Sequence, residues 1–149
     1  MPTGPGWYMA IALKRAYDKP SPADGVRVLV DRLWPRGLSK QQARLDGWLK
    51  ELAPSTELRQ WYHARRTMWH QFRERYLDEL RAPAAQSGLR QLYELASGKK
   101  NLTLVFGSRD LEHNNAVILK ELLEGMRKPP SSSGPEKVAP VAMRARARR

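Results

Sequence analysis

Two short apolar runs, residues 26–33 (VRVLVDRL) and 101–106 (NLTLVF), stand either side of a long stretch that reads as helix throughout. Both runs are too short for helices and rich in residues that suit a pleated surface, so both are expected as strands. A hairpin joins antiparallel strands through a few residues, whereas a long helical excursion suits a parallel crossover, right-handed almost without exception. The expected fold class is therefore α/β: a small, mostly parallel sheet with a long helical insertion between strands and helices packed on it. Residues 9–14 (MAIALK) supply a further strand that ends at Arg15, and residues 17–25 (YDKPSPADG) follow as a loop with two prolines and an Asp-Gly turn.

The helical stretch divides at its prolines. Ser39 and Gln42 have capping-box spacing, and Leu45, Trp48, Leu49 and Leu52 recur on one face, so one helix is expected from Ser39 to Pro54. Ser55 or Thr56 caps the next, which carries Leu58, Trp61 and Tyr62. Trp69, Phe72, Tyr76 and Leu80 form a further stripe that Pro83 is expected to stop, and Leu89, Leu92, Tyr93 and Ala96 a fourth, with Gly98 as its cap. The last helix follows Gly107–Asp110 and buries Ala116, Val117, Leu119, Leu122 and Leu123, with Asp110 expected as its cap.

At 149 residues the chain suits one domain. Residues 1–8 are Gly/Pro-rich and expected to be flexible, and residues 9–126 form a single α/β domain. Residues 127–149 (RKPPSSSGPEKVAPVAMRARARR) cannot bury enough apolar area to order themselves and are expected as a disordered basic tail. That tail holds seven Lys or Arg and one Glu, so half of the net charge of +12 lies in it. There is no Cys, which excludes disulfides, thiol catalysis and Cys-ligated zinc and suits a cytoplasmic protein. No apolar run is long enough to span a bilayer, and the N-terminus lacks the pattern of a signal peptide.

Ligands of open α/β sheets bind beyond the carboxyl ends of the strands. Here those ends are unusually polar. The first gives Arg15 and Tyr17, the second Asp31, Arg32, Trp34 and Arg36, and the third Ser108, Arg109, Asp110, His113 and Asn114. If the strands are parallel neighbours, these groups converge on one edge. A guanidinium fork matches carboxylate or phosphate oxygens, so the edge suits an anion. Trp34 offers a stacking face, Asp31 or Asp110 suits a general base, and His113 suits proton transfer. The structural alternative is that Arg15, Arg32 and Arg36 merely clamp Asp18, Asp31 and Asp46. His63, His70 and His113 have no paired metal-binding spacing, so no metal site is expected. There is no G-x-S-x-G, P-loop or G-x-G-x-x-G, and the cofactor, if any, is left open.

The strings KRAYD, DGVRVLVDRLWPRGLSK, WLKELAPSTELRQWY, FRERYLDEL and TLVFGSRDLEHNNAVIL occur in order over residues 14–119. Together they resemble the YeaO-like family, the bacterial domain of unknown function 488. The resemblance implies a small cytosolic α/β protein and no particular activity. The family's recurrent polar positions map onto Arg15, Tyr17, Asp31, Arg32, Trp34, Arg36, Lys50, Ser55, Asp110 and Asn114, of which Lys50 and Ser55 come from the resemblance alone. The family's His-Asp-Pro-like stretch before Trp69 reads His63-Ala64-Arg65-Arg66 here, so any role of an acid there does not transfer. Three readings follow: a site for a small anion such as a nucleotide, with or without catalysis; weak, sequence-independent nucleic-acid binding through the tail; and a non-catalytic interaction module. Oligomeric state is left open.

Overall fold

The computed structural model describes residues 11–126 and 129–130. The expectations for residues 1–8 and for most of the tail lie outside the described residues. Four strands, all parallel, form one sheet in the order β1-β4-β2-β3. β1 is Ile11–Arg15, β2 Val26–Leu29, β3 Gly47–Trp48 and β4 Leu102–Phe106. β4 lies between β1 and β2, in register from Leu102 opposite both Ile11 and Val26. All five of its residues are buried. This explains its unbroken apolar run: a central parallel strand is covered on both faces.

Side chains alternate along a strand, and the two faces meet different partners. Val28, Val30, Leu102, Leu104 and Phe106 join the main core with Leu58, Tyr62, Phe72, Tyr76, Leu89 and Leu119. These come from α2 (Thr56–His63), α3 (Trp69–Glu79), α4 (Pro83–Ala96) and α5 (Asn115–Glu124). The other face buries Leu29, Val105 and Ala16 under Trp34, Leu38, Leu45 and Trp48.

The segment after Ser39 departs from expectation. The capping box is present: the Ser39 hydroxyl accepts from the Gln42 N–H at 3.0 Å, and the Gln42 side chain from the Ser39 N–H at 2.9 Å. Yet helix α1 is only Lys40–Ala43, closed by Arg44 at φ 48°. The cause is Arg27, which is 3% exposed. Its guanidinium donates to the carbonyls of Ala43 and Arg44 at 2.7–3.2 Å, and its own N–H donates to the Asp46 carboxylate at 2.8 Å. The chain is thereby drawn onto β2, where β3 pairs Gly47 with Val28 and Trp48 with Leu29. A 3-10 turn, Lys50–Leu52, follows. The helical spacing of Leu45, Trp48, Leu49 and Leu52 was coincidence: the first and second cover one sheet face, the third and fourth the other.

Smaller corrections follow the same logic. The second strand stops at Leu29 rather than residue 33, because Asp31 turns away to bind the β4 loop. Pro83 opens α4 at its first position, where a missing N–H costs nothing, instead of only ending the preceding helix. Asn114, not Asp110, caps α5, its side chain accepting from the Val117 N–H. Before β2, Gly25 has φ 66°, and a Cβ there would sit 2.2 Å from the Asn101 carbonyl oxygen, so that crossing requires glycine. Among the described residues, no helix is long and apolar enough to cross a membrane.

Candidate functional site

Because every strand is parallel, the segments after β1, β2 and β4 emerge at one edge. A cleft of about 670 Å³ opens there, between residues 31–35, residues 107–110 and the α2–α3 region. Tyr62, Phe72, Pro54 and Trp34 form apolar wall. Its charged residues are Arg32, Arg59, Arg66 and Arg109 against Asp31 and Asp110, so the arginines outnumber the acids two to one.

Asp31 sits at the junction. One carboxylate oxygen accepts the Gly107 N–H at 2.8 Å and the other accepts from Asn115 Nδ2 at 3.2 Å. Its carbonyl accepts from the Trp48 indole at 2.7 Å. Burial pushes this carboxyl above its ordinary range, against the opposing pull of the Gly107 N–H, Asn115 and the Arg59 charge. Asn115, itself buried, also donates to the Val30 carbonyl at 2.9 Å, so one amide ties β2 to α5. Behind it, the buried Tyr76 hydroxyl donates to the Leu52 carbonyl, and burial raises that phenol far above its usual value.

Asp110 is held differently. One carboxylate oxygen accepts the N–H groups of Glu112 and His113, both at 3.0 Å. The other lies 3.2 Å from Arg66 Nη2 and 3.4 Å from His113 Nδ1. Partial burial works to raise its pKa, but the two N–H donors and His113 outweigh it and leave the carboxyl below its ordinary range. The His113 ring meets Trp69 edge-on at 5.0 Å. Asn114, besides capping α5, donates to the Asp110 carbonyl at 2.8 Å.

The arginines are not saturated by acids. Arg32 donates to the carbonyls of Pro54 and Ala53 at 3.3 and 3.2 Å, clamping the approach to α2. Arg15 donates to the carbonyls of Ser108 and Gly107 at 2.9 and 3.2 Å and lies 5.0 Å over the Tyr17 ring. The Tyr17 hydroxyl donates to the Arg36 carbonyl at 3.0 Å. Among the described residues, Arg15, Arg32, Arg36 and Arg109 form no ion pair. The expected clamping of Asp18, Asp31 and Asp46 by Arg15, Arg32 and Arg36 is absent there. Arg27, which the sequence reading passed over, instead binds Asp24 at 2.8 Å and Asp46 through its backbone.

Of the residues singled out from the sequence, Asp31, Arg32, Trp34, Arg109, Asp110, His113 and Asn114 line this cleft. Arg15, Tyr17, Arg36 and Arg109 line a neighbouring depression. Trp34 serves mainly as packing: its indole donates to the Leu38 carbonyl at 2.6 Å and meets Trp48 edge-on at 5.5 Å. Lys50 and Ser55 line neither. Lys50 lies 4.2 Å over the Trp48 ring, and Ser55 caps α2 while its hydroxyl donates to Glu79 at 2.6 Å. The structure adds Arg59, Arg66, Tyr62, Phe72 and Asn115, which sequence reasoning missed. Tyr62 and Phe72 fall on core stripes, which hid them. Arg66 was signalled by the basic residues standing where the resemblance has an acid. Asn115 had no signal beyond an Asn pair at a helix start. Among the described residues, no three His, Asp or Glu come together as a metal site.

A family model described as "Inactive DUF488-N3 subclade" matches residues 10–141. Curated relatives include "Uncharacterized protein YeaO" of Escherichia coli (strain K12), 44% identical over 118 residues, which are 79% of this chain and 100% of the relative. "Uncharacterized protein Rv3073c" of Mycobacterium tuberculosis (strain ATCC 25618 / H37Rv) is 40% identical over 115 residues, 77% of this chain and 94% of that one. No solved structure matches the chain.

Proposed function

The chain belongs to the YeaO-like DUF488 family, and from that premise we propose that it binds a small organic anion in the strand-end cleft without transforming it. The observation that carries this reading is the state of the acids. Asp31 and Asp110, the residues best suited to act as bases, each hold backbone N–H groups with one carboxylate oxygen and meet side chains with the other, Asn115 for Asp31 and Arg66 and His113 for Asp110, while the cleft's arginines exceed its acids. A general base needs a free oxygen within reach of the proton it removes. A binding site needs a roomy apolar wall and a few fixed charges, which this cleft has. The description of the matched family model as inactive points the same way. The ligand class is a flat or apolar body bearing a carboxylate or phosphate: Tyr62 and Phe72 suit the body, and Arg59 and Arg66 the charge.

A thermal-shift and calorimetric screen of the full chain against aromatic carboxylates, phenyl phosphate and nucleoside monophosphates tests this. A ligand at a hundredfold excess over its Kd stabilises the fold by about 2.7 kcal/mol. Arg59→Gln, which changes an exposed side chain at the cleft, is expected to weaken that ligand about tenfold through the lost charge-assisted hydrogen bonds. Ligand recovered chemically unchanged after long incubation supports binding alone. Turnover would replace this reading with an enzymatic one.

A further inference from the structure

Beside the cleft, across the segment Gly107–Arg109, lies a second depression of about 450 Å³ lined by Arg15, Tyr17, Arg36, Gly107 and Arg109. We propose that Arg15, Arg36 and Arg109 form a separate seat for a tetrahedral oxyanion of the phosphate class, either free phosphate or the phosphate of a monoester. This does not depend on the cleft reading, because only Arg109 and Gly107 are shared.

Each arginine comes from a different loop at the same sheet edge: Arg15 ends β1, Arg36 follows β2 and Arg109 follows β4. Three guanidiniums gathered in one depression repel one another, and no carboxylate lines it. The fold nevertheless fixes Arg15 and brings the two other segments to it. Arg15 is pinned by two carbonyls of the β4 loop and by the Tyr17 ring. The Tyr17 hydroxyl in turn pins the Arg36 backbone, which brings the β2 loop to the same place. Those bonds occupy Nε and one Nη of Arg15, leaving its remaining N–H groups for a guest. Among the described residues, the Arg36 and Arg109 side chains make no hydrogen bond. Three forks from three directions match the several oxygens of a tetrahedral anion, where a planar carboxylate offers only two. The likeness to an ordinary solvated charged face ends there, since such faces mix both signs.

The test is calorimetric titration of the full chain with inorganic phosphate, beside Arg36→Gln, Arg36→Lys and Arg81→Gln. Arg81 is exposed, lies between α3 and α4, and lines neither depression, so it controls for general charge. Arg36→Gln is expected to weaken phosphate about tenfold or more, Arg36→Lys less, and Arg81→Gln hardly at all. Equal losses in Arg36→Gln and Arg81→Gln, or no phosphate binding by the parent at millimolar concentration, would overturn the seat. Arg59→Gln, the cleft variant, is expected to leave inorganic phosphate bound as in the parent, so the two sites fail independently. Phenyl phosphate distinguishes the sources: tighter binding than phosphate assigns the seat to a monoester whose body reaches the cleft, and equal binding assigns it to the free ion.

Discussion

Asp110 and Asp31 are two carboxyls of one cleft whose surroundings push them in opposite directions. Asp110 has a folded pKa below the ordinary 3.8, so its contribution to stability is full above that value and fades as pH falls through the lower folded one. Asp31 has a raised folded pKa, so its contribution is full below 3.8 and fades as pH rises through the higher folded value. Asp110→Ala removes the acceptor of two backbone N–H groups. Its cost is expected at about 1 kcal/mol near neutral pH, modest because the carboxyl is partly exposed and its Arg66 pair adds little. Urea unfolding at neutral pH and again near pH 3 checks both size and sign: the gap between variant and parent should narrow in acid. A gap that widened in acid would contradict the direction of the shift. At this scale much was legible. Acids and arginines at strand ends announce themselves by type and position. Their partners do not: the Asp31–Gly107 bond joins residues 76 apart, and only the folded sheet reveals it.

Among the elements, the region from β2 to α2 shows how one buried charge overrides local pattern. Apolar residues at helical spacing argue for a helix, but tertiary pairing wins when it satisfies more polar groups. Arg27 satisfies the closing carbonyls of α1, and Asp24 balances its charge with Lys14 beside it. Burial opposes the ionised form of Asp24, yet the Ser21 N–H, Lys14 and Arg27 prevail and hold its carboxyl below the ordinary range. Arg27→Met leaves that buried carboxylate underpaired and frees the α1 end and β3 from their anchor. The expected loss is about 3 kcal/mol, read as a lower urea midpoint with native helix content otherwise kept. Arg27→Lys should recover little, because a single ammonium cannot span both Asp24 and two carbonyls. A loss within about 0.5 kcal/mol, the scale of ordinary surface changes, would mean the network does not anchor β3. No periodicity argument sees this, since an arginine inside a strand reads as solvent-facing. The strand order itself was only half legible: element sequence implied parallel pairing, but not that β4 inserts between β1 and β2.

For the whole molecule, the decisive property is that all strand ends share one edge, so chemistry spread over residues 15–114 is gathered there. Residues 1–126 and residues 127–149 divide the net charge of +12 equally, and the two parts serve different partners under the readings above. A small anion recognised by a few converging guanidiniums depends on geometry and only modestly on salt. A polyanion recognised by a run of arginines depends on counterion release, so log affinity falls with log salt by about 0.7 for each single-strand phosphate neutralised. The nucleic-acid reading therefore belongs to the tail and predicts a division of labour on truncation. Full-length protein and residues 1–126 can be titrated with a single-stranded oligonucleotide across a salt series, and with phosphate at fixed salt. Removal of the tail is expected to weaken the oligonucleotide, with a flatter salt slope, while phosphate affinity stays within about twofold. Circular dichroism of the truncated chain checks that it folds. If the truncated chain keeps both affinity and slope for the oligonucleotide, the polyanion contacts lie on the arginine-lined sheet edge instead. The Arg36→Gln change should then weaken nucleic acid and phosphate together.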